Sequence, residues 1–138
     1  ASATPGHSPE SVSFQICDHV FVGDFVFKGA AGRTDGARSS TDDMFRVIRD
    51  VFAEMPDPTI LWCGHGPPTT IGEELRGNPF WKVGLGGAPE EPAGSVRYRG
   101  DAVRVLAWAD DYDGGRKVLL EIPGGDRVIV PGSQVEPA

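Results

Sequence analysis

The sequence predicts an α/β fold, with strands and helices mixed in α+β fashion, followed by a small antiparallel β unit of the SH3-like kind. Three observations carry this. Residues 11–63 read strand, strand, loop, helix, strand, the order from which α/β layers are built. A run of Gly and Pro, Val83-Gly-Leu-Gly-Gly-Ala-Pro-Glu-Glu-Pro-Ala-Gly, then interrupts the apolar patterning as a linker does. Three β-like runs with Gly-rich turns follow it. The expected organisation is one unit over 1–82, a linker over 83–95 and a β unit over 96–138.

In Ser11-Val-Ser-Phe-Gln-Ile-Cys, apolar Val12, Phe14 and Ile16 alternate with polar neighbours. His19-Val-Phe-Val follows a turn at Asp18, so the pair reads as a hairpin. Residues 28–39 hold three glycines among polar residues without periodicity, which marks a loop. A helix is expected to start at Ser40 or Thr41, whose hydroxyl can accept a backbone N–H, with Asp42 and Asp43 at the positive end of the helix dipole. Met44, Ile48, Val51 and Met55 fall on one face with Phe45 and Phe52 beside it, and Pro56 and Pro58 end the helix. Thr59-Ile-Leu-Trp-Cys is a continuous apolar run, expected to be a strand covered on both sides. The last three runs begin at Ala102, Lys117 and Arg127, and a unit this small has a marginal core and is expected to dock on something.

Thirteen basic against 20 acidic residues give a net charge of −7, with Lys and Arg scattered. Phosphate binding needs clustered positive charge, so no nucleic-acid partner is expected. No apolar run approaches the roughly 20 residues that span a bilayer, so no membrane partner is expected either. Cys17 and Cys63 lie in apolar runs and read as buried thiols rather than a disulfide, which fits a cytoplasmic setting. The absence of an initiator Met before Pro5-Gly-His7 reads as a cut amino terminus.

Three segments place a metal-capable side chain just past a strand or within a Gly/Pro turn: Thr4-Pro-Gly-His7-Ser-Pro, Val22-Gly-Asp24 and Cys63-Gly-His65-Gly-Pro-Pro. Small or ring-fixed neighbours let the backbone come close to a ligand and hold the donor rigidly, and strand ends are where α/β sheets build sites. Two imidazoles and a carboxylate suit Zn(II), Fe(II) or Mn(II). The plainer reading is that His7 and His65 are turn residues and Asp24 a turn carboxylate.

These segments, with Phe25-Val-Phe-Lys-Gly-Ala-Ala-Gly-Arg-Thr-Asp and Thr69-Thr-Ile-Gly-Glu-Glu-Leu-Arg-Gly-Asn-Pro-Phe, resemble the carboxy-terminal half of the metallo-β-lactamase-fold hydrolases over residues 4 to 81, and most of all the hydroxyacylglutathione hydrolase (glyoxalase II-like) branch. The resemblance implies half of an αββα sandwich with two divalent metals, zinc first among the candidates, at one edge of its sheets. It implies that His7 binds the first metal, that Asp24 bridges the two as the catalytic carboxylate, and that His65 binds the second. The remaining ligands of that family come from a His-x-His-x-Asp-His motif in the other half, expected in cis or in trans. Three donors divided between two metals are too few for either, since a catalytic zinc keeps three protein ligands and an open position. A complete pair of metals would acidify a shared water toward a pKa of ~7, and hydrolysis of a small-molecule thioester or ester follows.

The same resemblance places Arg33 on the loop that carries a basic residue for substrate carboxylates; a local ion pair with Asp35 is the competing reading. Lys28 is a lesser candidate, Asn78-Pro-Phe reads as packing, and His19 as structural. Three departures from the branch are Phe25, where a hydroxyl residue often follows the bridging carboxylate, Cys63, where Pro is common before Gly-His, and the β unit, which stands where the glutathione enzymes have substrate-gripping carboxy-terminal helices. Two other functions compete with a hydrolase: an Fe(II)-dependent persulfide dioxygenase, and a non-catalytic binding or dimerisation module that has kept the ligand residues. A homo-oligomer is compatible with each.

Overall fold

Ser2–Ala3 (β1) pairs antiparallel with Val12–Ile16 (β2), which turns back through Cys17 and Asp18 into His19–Gly23 (β3). This is a computed structural model, and it describes residues 1–89 and 94–138; the middle of the expected linker, 90–93, lies outside the described residues. Val26–Phe27 (β4) and Ala30–Ala31 (β5) form a two-stranded hairpin, its turn at Gly29 with φ +79° and its second strand lying inside the stretch expected to be loop. All four of these residues are buried, so β4 and β5 serve the core despite their length.

The helix expected at Ser40 begins there. Ser40 Oγ accepts the Asp43 N–H at 3.1 Å, and Thr41–Val47 (α1) follows. From Ile48 to Phe52 the turn widens to π geometry, with Ala53 N–H bonded to Ile48 O. One added residue per turn rotates the apolar face, so Phe52 enters the core and Val51 is only half-buried. Ile60–Cys63 (β6) then pairs in parallel with β3, and Thr69–Thr70 (β7) completes a sheet ordered β1-β2-β3-β6-β7. Ile71–Gly77 (α2) and Pro79–Gly84 (α3) follow, so α3 occupies the first residues of the expected linker.

Val20, Val22 and Leu61 bury one face of this sheet against Met44, Ile48 and Phe52. Phe52 meets Phe25 edge-on at 5.4 Å and stacks on Trp81 at 6.2 Å. The opposite face is open. Val12, Phe14, Ile16, Phe21 and Trp62 are 39–65% exposed, whereas Ser13 of the same strand is buried. The alternation expected in β2 is present, with its apolar side facing out. Expected cover on both sides of Thr59–Cys63 is therefore corrected: among the described residues no second layer covers the Trp62 side, where the indole has only the rings of His19 and Phe21 from the neighbouring strand beside it. Cys17 is likewise exposed instead of buried, because it forms the hairpin turn with φ +53°.

The carboxy-terminal unit is a second sheet, ordered β11-β10-β9-β8-β12 and built from Ser95–Tyr98 (β8), Asp101–Asp110 (β9), Arg116–Glu121 (β10), Arg127–Pro131 (β11) and Val135–Pro137 (β12). The β9–β10 register slips between Leu119 and Leu120, which leaves Leu106 as an extra residue. One face has its own cluster around Val105, Val118, Leu120 and Val130. The other sends Leu106, Ala107, Ala109, Leu119 and Ile129 into the cluster that holds Phe52 and Trp81. β9 lies against α3 and β11 against α1, so the expected docking partner of the β unit is the first part of this same chain.

Candidate metal centre

His7 and Asp24 meet because their flanking glycines let loops lie almost in contact. Gly6, at φ +154°, packs on the start of α1, where a Cβ would stand 2.6 Å from Met44 Cβ. Ser40 N–H donates to Gly6 O at 2.8 Å and the Ser39 hydroxyl to His7 O at 2.7 Å, so the backbone carrying His7 is tied to the helix cap. Asp24 follows β3, and Gly64 N–H donates to Gly23 O at 2.7 Å, joining the ends of the parallel strands β3 and β6. A Cβ on Gly64 would reach 2.6 Å from Asp24 Oδ1, and one on Gly32 would collide with the Asp24 carbonyl. The glycines in Gly-His and Gly-Arg are there for clearance.

His65 Nδ1 lies 3.0 Å from Asp24 Oδ1, and His7 Nδ1 lies 2.9 Å from the Arg33 carbonyl. A carbonyl oxygen, like a carboxylate, can only accept, so each imidazole carries a proton on Nδ1, and in its neutral form it offers the Nε2 lone pair to a metal. That is the arrangement in which a ligating histidine is held by a supporting acceptor. His7 and Asp24 also line one small cavity of about 100 Å³ together with Phe27, Gly32, Arg33, Tyr112 and Lys117. The donors therefore fit a divalent metal chemically, but only as a partial set: among the described residues no three His, Cys, Asp or Glu side chains are grouped closely enough to hold an ion. The structure pairs His65 with Asp24 and puts His7 beside Asp24 on the cavity.

Arg33 makes the local pair. Its Nε and one terminal nitrogen donate to the two Asp35 oxygens at 2.6 Å each, and this fork holds the Asp35 carboxyl below its ordinary range. The guanidinium still borders the cavity. Lys28 is remote from it, lining a different cleft with Gly29, Pro79 and Trp108. Phe25 points into the core against Phe52, so its ring acts on packing and not on Asp24 directly. His19 begins β3 and accepts the Trp62 indole N–H at 3.0 Å. Asn78 caps α3 by accepting the Phe80 and Trp81 N–H groups, and its amide donates to Ala30 O at 3.0 Å. Burial pushes the Cys63 thiol up to about 11, which leaves it a poor nucleophile and a poor ligand at neutral pH.

Three residues beside the site gave no sequence signal. Tyr112 stands in a polar turn between β9 and β10, yet its ring stacks on His65 with centroids 4.6 Å apart. Lys117, nearly buried, pairs with Asp111 at 2.6 Å over the ring of Phe27. Glu74, almost fully buried on α2, accepts the Gly29 N–H at 2.6 Å and so fastens the β4–β5 hairpin. Burial raises the Glu74 pKa, so ionisation costs stability: the penalty is absent below the normal glutamate range and enters as pH rises through the raised value. Glu74→Gln keeps an acceptor without the charge and is expected to be as stable as the parent or more so at pH 7, the difference vanishing below about pH 4. Glu74→Ala strands the amide and is expected to lose about 1–3 kcal/mol. Urea unfolding at both pH values reads each.

No protein-family model matches the chain. It is 39% identical over 79 residues to Probable metallo-hydrolase YqgX of Bacillus subtilis, covering 56% of this chain and 37% of that protein. It is 40% identical over 80 residues to hydroxyacylglutathione hydrolase GloC of Haemophilus influenzae, covering 55% and 37%. Among solved structures, BLEG-1 B3 metallo-beta-lactamase superposes with a TM-score of 0.56 at 41% identity, over 57% of this chain and 39% of that one. This part of the chain is metallo-β-lactamase-like. ETHE1 from Myxococcus xanthus matches over 56% of this chain and 36% of its own, with a TM-score of 0.54 at 35% identity. A di-iron-bound form of TTHA1623 matches with 0.54 at 39%, covering 56% and 40%. The metallo-β-lactamase-like part thus covers more than half of this chain, which spans under two fifths of the length of these curated relatives. No described helix is long and apolar enough to cross a membrane.

Proposed function

We propose that this chain supplies half of a binuclear metal site for hydrolysis of a small-molecule thioester or ester. The observation that carries this reading is the placing of Asp24, at adjoining strand and loop ends, against both histidines: it is bonded to His65 and shares a cavity with His7, and each imidazole is held through Nδ1. His7 would hold one divalent metal, His65 the other, and Asp24 would lie between them. Zinc suits two imidazoles and a carboxylate, as do iron and manganese. Metals bound there supply Lewis acidity toward a carbonyl and toward water. Asp24 and the Arg33 carbonyl hold the Nδ1 protons and so aim the rings. Arg33 keeps N–H groups beyond the two that Asp35 uses, and these would meet a substrate carboxylate at the rim.

The missing ligands would come from a His-x-His-x-Asp-His half, in cis or in trans. The open apolar face of Phe14, Ile16, Phe21 and Trp62 supports this, because a face of that composition is normally covered by another layer. A cytoplasmic setting suits the two unpaired thiols. The protein assembled with such a half and loaded with zinc is expected to release thiol from an acyl thioester, read with a thiol reagent. Release no faster than from this chain alone would overturn the reading.

The likeness to ETHE1 and to a di-iron protein supports a second reading, an iron-dependent persulfide dioxygenase. Oxygen uptake by the Fe(II)-loaded assembly with glutathione persulfide would favour it over hydrolysis.

A further inference from the structure

The geometry points to Tyr112, carried by the carboxy-terminal β unit, as a positioning residue for His65. Its ring lies 4.6 Å from the imidazole at an interplanar angle of 14°, a face-to-face stack. The His65 ring is thereby held on two sides: Asp24 takes the Nδ1 edge and Tyr112 covers a face, which leaves the Nε2 edge open. The stack is itself braced. Phe27 packs on Tyr112 with centroids 4.8 Å apart, and Lys117 Nζ sits 4.9 Å from the Phe27 centroid and 5.2 Å from that of Tyr112 while bonded to Asp111. Gly66, just after His65, has φ +75°, and a Cβ there would come 2.9 Å from Tyr112 Cβ, so the β9–β10 turn lies directly on the Gly-His-Gly loop.

The β unit grips the other side of the site as well. Thr34 N–H donates to Ile129 O at 2.9 Å, and Ile129 N–H donates to Thr34 Oγ1 at 2.7 Å, which fixes the residue next to Arg33 to β11. Arg127 reaches Asp42 on α1 at 3.3 Å. The unit therefore belongs to the site's frame at two separate points. Exposed imidazoles sample several ring orientations, and each one lost before binding lowers the ordering cost of metal uptake. The role toward metal rests on the hydrolase reading above; the role toward the ring does not.

The test uses the whole chain with Tyr112→Phe and Tyr112→Leu, the second keeping apolar bulk on Phe27 without a flat ring. With three histidines in the chain, the imidazole C–H resonances are few, and His65→Gln assigns the relevant one. The parent and Tyr112→Phe are expected to show the His65 resonance displaced upfield by the ring current, and Tyr112→Leu to lose that displacement. In the protein assembled with the missing ligand half, Zn(II) affinity in a competition titration is expected to be kept by Tyr112→Phe and to fall about 10-fold in Tyr112→Leu. A His65 resonance that does not move in Tyr112→Leu overturns the positioning role. If it moves while the protein assembled with the missing ligand half takes up no zinc, the positioning role stands and the hydrolase reading falls.

Discussion

Phe52→Ala is expected to lower the unfolding free energy by about 3–5 kcal/mol, a large part of the roughly 5–15 kcal/mol that holds a domain of this size. Phe52 is fully buried between Phe25 and Trp81, at the point where β3, the π turn and α3 converge, so truncation leaves a void walled by rigid aromatic rings that cannot collapse into it. Val51→Ala, one residue earlier, is expected to cost about 1 kcal/mol or less, because Val51 is only half-buried. The contrast is specific to the widened turn. An unbroken α-helix would favour Val51 in the sequence Met44, Ile48, Val51, Met55, and equal losses at the two positions in urea titrations would show that the helix is regular.

That helix also shows what could and could not be read from the residues. Its start was legible because a hydroxyl at Ser40 and two acidic residues after it act locally. The π turn was not, because five residues of Ile48–Phe52 are compatible with either geometry and only the packing of Phe52 against two aromatic rings decides. The same division runs through the site. Glycines and prolines around His7, Asp24 and His65 announce close backbone approach, but it was the resemblance to the metallo-β-lactamase-fold hydrolases that singled them out as ligands, and the structure brings Asp24 to His65 and to the His7 cavity. Tyr112, Lys117 and Glu74 were invisible: a tyrosine in an Asp/Gly turn and a charged residue in a strand or helix look like solvated surface until the second sheet folds onto the first part. The period of β2 was correct, but alternation does not say which side is covered, and here the apolar side is the open one.

Asp24→Asn in the assembled protein is expected to reduce kcat for thioester hydrolysis by at least about 100-fold, the upper range for losing a residue that merely supports a ligand, while the isolated chain unfolds within about 1 kcal/mol of the parent. The two halves of this expectation have separate causes. The amide oxygen of the substituted side chain still accepts the His65 Nδ1–H, and Gly64 still has room for it, so the ring orientation and the loop contact survive. What is removed is the negative charge that bonds His65 and faces the cavity shared with His7, and a neutral amide would not offset the two divalent cations of the proposed site. Asp24→Ala removes the acceptor as well and should add disorder of the His65 ring, visible as the same resonance change expected from Tyr112→Leu. Comparing kcat, bound metal by elemental analysis and urea midpoints across the two variants therefore separates charge from orientation. If Asp24→Asn keeps both full activity and full metal content, then Asp24 acts only as the partner that aims His65, and its bridging role is wrong.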